Sequence, residues 1–419
     1  MSRQRITAPL GASQIVQAPT RKTAATVLAA STLTIMAAAV ISPSLPAMRV
    51  AYEAVPGADL LVKIVITITS AAIALTAPLA GTLASRIGTR PVLFGGLMLY
   101  ALSGSAGLIV TDPLPLLVSR IVLGVGVGAI MTAVSTTIAS LWRGEERARL
   151  LGGQQLFASL GGVVFLSLAG WLSTVDWRAP FGIYAVALLL IPLVLATRLA
   201  PPLDGQVQVD ELDAGLRPGV TSIVSIYALA FGSTAVFFLA PTQLPFILDD
   251  LGVGTTATGF VVAASMATGV IGSLWFPALR RRMAPATVAA VGLGLLGIGW
   301  VVIGVGAPAS WVGPLLGAFV GGIGVGVTVP NLNFWISELA GSARRGVLLG
   351  GLVSAIFAGQ FVSPILAQPL VDLAGIGATF AYGGAVVAAV ALALAVPEIL
   401  SSSRASSDAG RPRKKGQNK

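Results

Sequence analysis

Long apolar runs alternate with short, mostly basic interruptions along the whole chain. A bilayer crossing needs about 20 predominantly apolar residues. Runs of that size lie near residues 24–45, 60–82, 91–110, 115–141, 150–172, 180–198, 220–243, 255–278, 286–306, 311–337, 346–370 and 376–396. The pattern predicts an all-α integral membrane protein of twelve spans. One interruption is long and polar, carrying Asp204, Asp210, Glu211 and Asp213 among prolines and glycines. It divides the chain into an N-terminal tail (1–23), a six-helix half (24–198), a linker (199–219), a second six-helix half (220–396) and a basic tail (397–419).

Charge gives an independent test of the count, because Lys and Arg concentrate in cytoplasmic loops. With twelve spans, Arg3, Arg5, Arg21, Lys22, Arg86, Arg90, Arg143, Arg147, Arg149, Arg198, Arg217, Arg280 to Arg282, Arg344, Arg345 and the basic tail all fall on one side. Only Arg49, Lys63 and Arg178 fall on the other, and Arg120 lies inside the fourth run. Both termini are therefore expected in the cytoplasm, with the protein in the plasma (inner) membrane. The N-terminal run is too long, and too well followed by further spans, to be a cleaved signal peptide.

The halves repeat each other. Gly124, Gly126 and Gly128 recur as Gly322, Gly324 and Gly326, the LLGG at Leu150 to Gly153 recurs at Leu348 to Gly351, and Gly161 recurs as Gly359, all at an offset of 198. Pro43, Leu45 and Pro46 answer Pro241, Leu244 and Pro245 with one insertion. A constant offset through two helices and their loop is the mark of duplication.

Between the second and third runs stands GTLASRIGTR, with Gly81, Leu83, Ser85, Arg86, Gly88 and Arg90. A turn this tight calls for glycine where the backbone leaves helical geometry. The stretch resembles the signature loop of the major facilitator superfamily, G-x-L-a-D-r-x-G-r-r, with serine at the acidic position. The resemblance extends to SPSLP (Ser42 to Pro46), to Arg120 followed by Gly124, and to DWRAPF (Asp176 to Phe181). It implies two six-helix halves in pseudo-twofold parallel repeat that rock about a midplane site. It also implies that residues 81–90 form a cytoplasmic gating loop, whose latch Ser85 weakens, and that Arg120 takes part in proton coupling. Drug antiporters of that family often carry G-x-x-x-G-P-x-x-G-G in the fifth span, and GGVVFLSLAG (Gly161 to Gly170) lacks its proline.

Composition narrows the chemistry. Of 419 residues, 55% are hydrophobic and 10% charged, with no histidine and no cysteine, and the mean hydropathy is +0.89. Thiol and histidine-dependent catalysis and the commonest zinc sites are thereby removed, so no enzyme, no metal and no cofactor are expected. The net charge of +10 is spread through short loops and does not form the single basic face of a nucleic-acid binder. Gly292, Gly294 and Gly297 spell G-x-G-x-x-G inside a span, where no strand precedes them, so a dinucleotide site is not expected.

Arg120 is the sharpest candidate for substrate or coupling chemistry, since a charge inside a span is costly unless it faces water or a partner; the alternative is an arginine snorkelling to the interface. Thr34, Tyr227, Asn331, Asn333 and Gln360 are further polar candidates for a central cavity, each equally accounted for by helix-to-helix bonding. For the two asparagines that structural role is the carbonyl freed by Pro330. No carboxylate lies near the midplane, which disfavours a strongly cationic substrate. The expected function is secondary transport of a small molecule by alternating access, energised by the proton gradient, with efflux by antiport as the direction. An uptake permease for a small organic anion or neutral solute is the runner-up, and a membrane enzyme or channel the rival class. The expected partners are that substrate and the bilayer, with the chain acting as a monomer.

Overall fold

The computed structural model describes residues 20–142, 144–197, 199, 220–307, 310–339 and 342–409. The expected N-terminal tail up to residue 19, nearly all of the linker and the last ten residues lie outside them.

Ten apolar helices come first: α1 (Arg21–Ala51), α2 (Ala58–Ile87), α3 (Thr89–Leu108), α4 (Pro113–Leu141), α5 (Arg149–Leu172), α6 (Ala179–Ala196), α7 (Ser222–Asp250), α8 (Thr255–Arg280), α9 (Pro285–Gly306) and α10 (Val312–Leu339). An eleventh helical stretch, Val347–Ala395, has 49 residues. At 1.5 Å per residue it would reach roughly 73 Å, more than twice the hydrocarbon thickness. It breaks at Gly375, where φ is 85° and ψ 167°, a conformation that glycine adopts at little cost. The stretch is therefore two crossings, α11 (347–374) and α12 (376–395), and the described residues make twelve crossings. Residues 20 and 409 lie on one face, called here the terminal face; the opposite is the far face.

Proline shapes the far end of α1. The helix Arg21–Ala39 gives way to a 3-10 turn at Ser42–Ser44 and a short helix at Leu45–Ala51, with Pro43 and Pro46 in the first positions of these two pieces. Proline fits there because a helix's first N–H groups have no intrahelical acceptor. The SPSLP sequence is thus a bend within the first span.

The α2–α3 connection is tighter than its sequence indicates. Helix α2 runs on to Ile87, so the turn contracts to Gly88, with φ 86° and its N–H on the Ala84 carbonyl at 3.0 Å. Gly81 lies inside the helix, where an added Cβ would meet nothing nearer than Thr132 Cγ2 at 3.7 Å. Only Gly88 is a turn glycine. The helix outlasts its apolar run because Arg86 carries its charge beyond the hydrocarbon on a long stem. Gly88 combines a positive φ with an extended ψ of 162°, a region essentially reserved for glycine, so Gly88→Ala is expected to cost about 1–3 kcal/mol, with Gly81→Ala neutral or slightly stabilising; thermal unfolding of the two detergent-solubilised variants checks the contrast.

The repeated glycines are points where helices touch backbone to backbone. In α4, an added Cβ on Gly124 would fall 2.5 Å from the Thr69 carbonyl of α2, and one on Gly126 would fall 2.9 Å from the Gly96 carbonyl of α3. In α10 the pattern returns: Gly322 meets Ser265 of α8 at 2.1 Å and Gly324 meets Gly292 of α9 at 2.4 Å. Gly161 presses on Thr32 of α1 at 2.2 Å, as Gly359 does on Phe231 of α7 at 2.3 Å. Small residues let helices approach in this way, and the halves share one packing scheme. Gly292 and Gly297 are likewise packing contacts, against α10 and α12.

Candidate functional site: the cleft between the halves

The halves meet along α2 with α11, along α5 with α8, and where the far ends of α1 and α7 cross. Among the described residues four hydrogen bonds join them. Ser42 Oγ donates to the Pro241 carbonyl at 2.5 Å, Lys63 Nζ to Gln368 Oε1 at 2.8 Å, Ser70 Oγ to Gln360 Oε1 at 2.9 Å, and Ser354 Oγ to the Ala74 carbonyl at 3.3 Å. All lie between the far face and a point just past the middle of α2.

Two of these bonds have a common origin. A proline inside a helix lacks the N–H that would bond the carbonyl four residues earlier. Pro245 leaves the Pro241 carbonyl free and Pro78 leaves the Ala74 carbonyl free; a serine of the opposite half takes each. Pro330 of α10 frees the Gly326 carbonyl, which accepts Ser273 Oγ of α8 at 3.1 Å. The asparagines are not its partners. Asn331 Nδ2 donates instead to the Pro285 carbonyl at 2.8 Å and Asn333 Nδ2 to the Val329 carbonyl at 2.9 Å, so both amide donors are engaged elsewhere.

Apolar packing closes the same face. Phe238 and Phe246 of α7 belong to the core of the first half, while Ala39 and Leu166 enter the core of the second. Gly170 of α5 seats against Thr255 and Gly259 of α8, with an added Cβ only 2.6 Å from the Thr255 carbonyl. Toward the terminal face the cover is lost. No residue of α2 from 61 to 74 is exposed, whereas Leu75, Leu79 and Leu83 are 74%, 65% and 47% exposed. Helix α5 has no buried residue from 149 to 157 among those described and seven from 158 to 172. Among the described residues, the halves are closed against each other at the far face and parted at the terminal face.

Around this cleft the candidate residues scatter. Gln360 lies on the joint itself through Ser70. Thr34, half-buried, bonds the Ser31 carbonyl of its own helix at 2.8 Å. Tyr227 donates to the Leu348 carbonyl of α11 at 2.7 Å within the second half. Asn331 is fully buried with its Oδ1 unpaired, against α9.

Arg120 does not open on the cleft in this conformation, and it does not snorkel. It is 1% exposed. Its Nη2 donates to the Ser103 and Gly104 carbonyls at 2.8 and 2.6 Å, closing the end of α3. Its guanidinium carbon sits 4.9 Å from the Phe181 ring centroid and 5.1 Å from that of Tyr184, both of α6. The last carbonyls of a helix lack intrahelical donors, and the two N–H groups of Nη2 serve both while the rings favour the cation. Gly104 has no room for a side chain beside Tyr184, whose Cβ would lie 2.4 Å from an added Cβ.

The loop after α2 makes no link across the halves through its serine: Ser85 Oγ donates to the Thr82 carbonyl of its own helix at 2.8 Å. Arg86 is exposed, and Arg90 bonds the Leu195 carbonyl of α6. In the second half the matching corner carries an ion pair, Arg280 with Glu338 at 3.2 Å.

Lys63 is the residue that the sequence conceals. Counted with the far-face charges, it is in fact 3% exposed within α2 and bonded to the other half. Its place inside the run LLVKIVITITS, a full turn past Asp59, was the available signal.

Comparison with known proteins converges on one family. The family model described as Major Facilitator Superfamily matches residues 27–346 and 226–417. The chain is 26% identical over 301 residues to the multidrug resistance protein MdtH of Aeromonas salmonicida (strain A449), covering 67% of this chain and 73% of that protein. It is 24% identical over 309 residues to the quinolone resistance protein NorA of Staphylococcus aureus, covering 71% and 77%. Among solved structures, a D-xylose-proton symporter superposes with a TM-score of 0.76 at 19% identity, covering 89% of this chain and 96% of that one. The xylose transporter XylE from E. coli does so at 0.72 and 18%, covering 88% and 94%.

Proposed function

Because the chain belongs to the Major Facilitator Superfamily and resembles its drug exporters, we propose that it expels a small molecule from the cell by alternating access, driven by inward proton flow. The observation that carries this reading is the one-sided closure. Halves built on one packing scheme, sealed at one face and parted at the other, form a pair that rocks about a central site. The terminal face is the cytoplasmic one, on the strength of the basic residues gathered there, so the conformation described is the state that loads from inside. The protein works as a monomer in the cell membrane and needs no cofactor beyond the gradient.

The substrate is neutral or anionic, since the described residues of the spans place no carboxylate at mid-depth to pair a cation. Thr34 and Gln360 are proposed as cleft residues of the substrate path, with Tyr227, Asn331 and Asn333 supporting its walls. A proton-coupled uptake permease is the second reading, favoured by that same absence of a buried acid. Accumulation of labelled neutral, anionic and cationic compounds in cells with and without the protein separates the two. Efflux predicts lower accumulation that rises when a protonophore collapses the gradient; higher accumulation under the intact gradient would establish uptake instead.

A further inference from the structure

On the alternating-access reading above, we propose that Lys63 sets the poise of the outer gate: it is a cation that closure must bury, and its incomplete compensation keeps the closed face ready to open. Four observations carry this. The ammonium is 3% exposed, in the seam between halves. It has three N–H donors and one hydrogen-bond acceptor, Gln368 Oε1 of α11 at 2.8 Å. It also lies 5.0 Å from the Phe246 ring centroid of α7. No carboxylate among the described residues stands within ion-pair distance of it. Arg49 engages Asp59 at 3.6 Å and shares the Phe246 ring at 5.2 Å, and Asp372 is held by Gln368 Nε2 at 2.7 Å.

Both partners of Lys63 belong to the second half, so parting α2 from α7 and α11 removes them and returns the ammonium to water. Closure thus exchanges full hydration for one amide oxygen and one ring. A buried charge without a counter-ion opposes the state that buries it. Removing the charge should therefore favour closure, while removing its remaining partner should oppose it. The two effects have opposite signs, which a merely space-filling role for Lys63 would not produce. Gln368 acts as a positioning residue, oriented by Asp372.

The chain has no cysteine, so one introduced thiol reports alone. Thr67→Cys places it one turn below Lys63 on the same face of α2, at a position with no exposure. Labelling by a membrane-impermeant methanethiosulfonate added outside intact cells then measures outer opening. Relative to Thr67→Cys alone, Gln368→Leu is expected to speed labelling roughly tenfold and Lys63→Met to slow it by a similar factor. The double variant is expected to fall back to the slow rate. Faster labelling in Lys63→Met, or no change in Gln368→Leu, would overturn the proposal. Monodisperse elution of each variant in detergent guards against misfolding, and Gln368→Leu tests the idea even where Lys63→Met fails that check. A second reporter, Leu79→Cys, labelled from the inside, separates this proposal from its premise. If the outer thiol responds as stated while the inner one does not move in the opposite direction, the gate assignment stands and alternating access falls.

Discussion

Arg120→Ala is expected to lose the folded protein before it loses any single step of transport. The substitution deletes two hydrogen bonds to backbone carbonyls from a charged donor, each contributing about 1.5–3 kcal/mol, together with a longer one from Nε to Ser119 Oγ at 3.3 Å, and strips the Phe181 and Tyr184 faces of their cation. It leaves the Ser103 and Gly104 carbonyls without their donor in a site closed to water. The expected loss is about 3–5 kcal/mol, read as a lower melting temperature in detergent and a smaller yield of monodisperse protein. Arg120→Lys should recover part of this, because an ammonium can donate to the carbonyls but lacks the flat guanidinium face that lies against the Phe181 and Tyr184 rings. A variant Arg120→Ala that melts like the parent and yet fails to move substrate would show that the guanidinium serves coupling and not the closure of α3.

Gly326→Leu is expected to be strongly destabilising. An added Cβ alone would stand 2.0 Å from the Gly269 carbonyl oxygen of α8, and backbone cannot step aside as a flexible side chain can. Overpacking of a tight seam typically costs about 1–3 kcal/mol, and a clash with backbone puts this change at or above the upper end; it also displaces the Gly326 carbonyl from Ser273. Gly350→Ala is the control. Nothing lies within 4 Å of its added Cβ, and replacing glycine in a helix gains up to about 1 kcal/mol. Thermal unfolding of the pair should show a large loss for the first and none for the second.

These contrasts mark what is legible in one sequence. Spans are legible because hydrocarbon imposes a length and a polarity on every crossing. The glycine comb was visible through its offset, and the structure supplies the reason for it: Gly124 and Gly322 each press on the helix that precedes them by two, and Gly126 and Gly324 on the helix that precedes them by one. Partners are not legible in the same way. Nothing in the order of residues says that the carbonyl freed by Pro78 will meet Ser354, 280 residues away, or that the one freed by Pro330 will meet Ser273 and neither nearby asparagine. Lys63 was hidden for a related reason. A lone lysine five residues inside a span has the spacing of a snorkelling charge, and only the approach of α11 and α7 turns it inward. Arg120 stood out because its cost in hydrocarbon is visible from sequence, but whether it faces a cavity or a helix end depends on where α3 stops.

The account as a whole rests on the two faces opening in opposition. Double electron–electron resonance tests this in the cysteine-free chain with two spin-label pairs at exposed positions. One pair, Glu53→Cys with Asp250→Cys, spans the far face; the other, Arg86→Cys with Arg281→Cys, spans the terminal face. Measured in proteoliposomes with and without the compound that the accumulation assay identifies, the far pair is predicted to lengthen whenever the terminal pair shortens. Distances that stay fixed, or that lengthen together at both faces, would contradict alternating access and with it the transport mechanism proposed here.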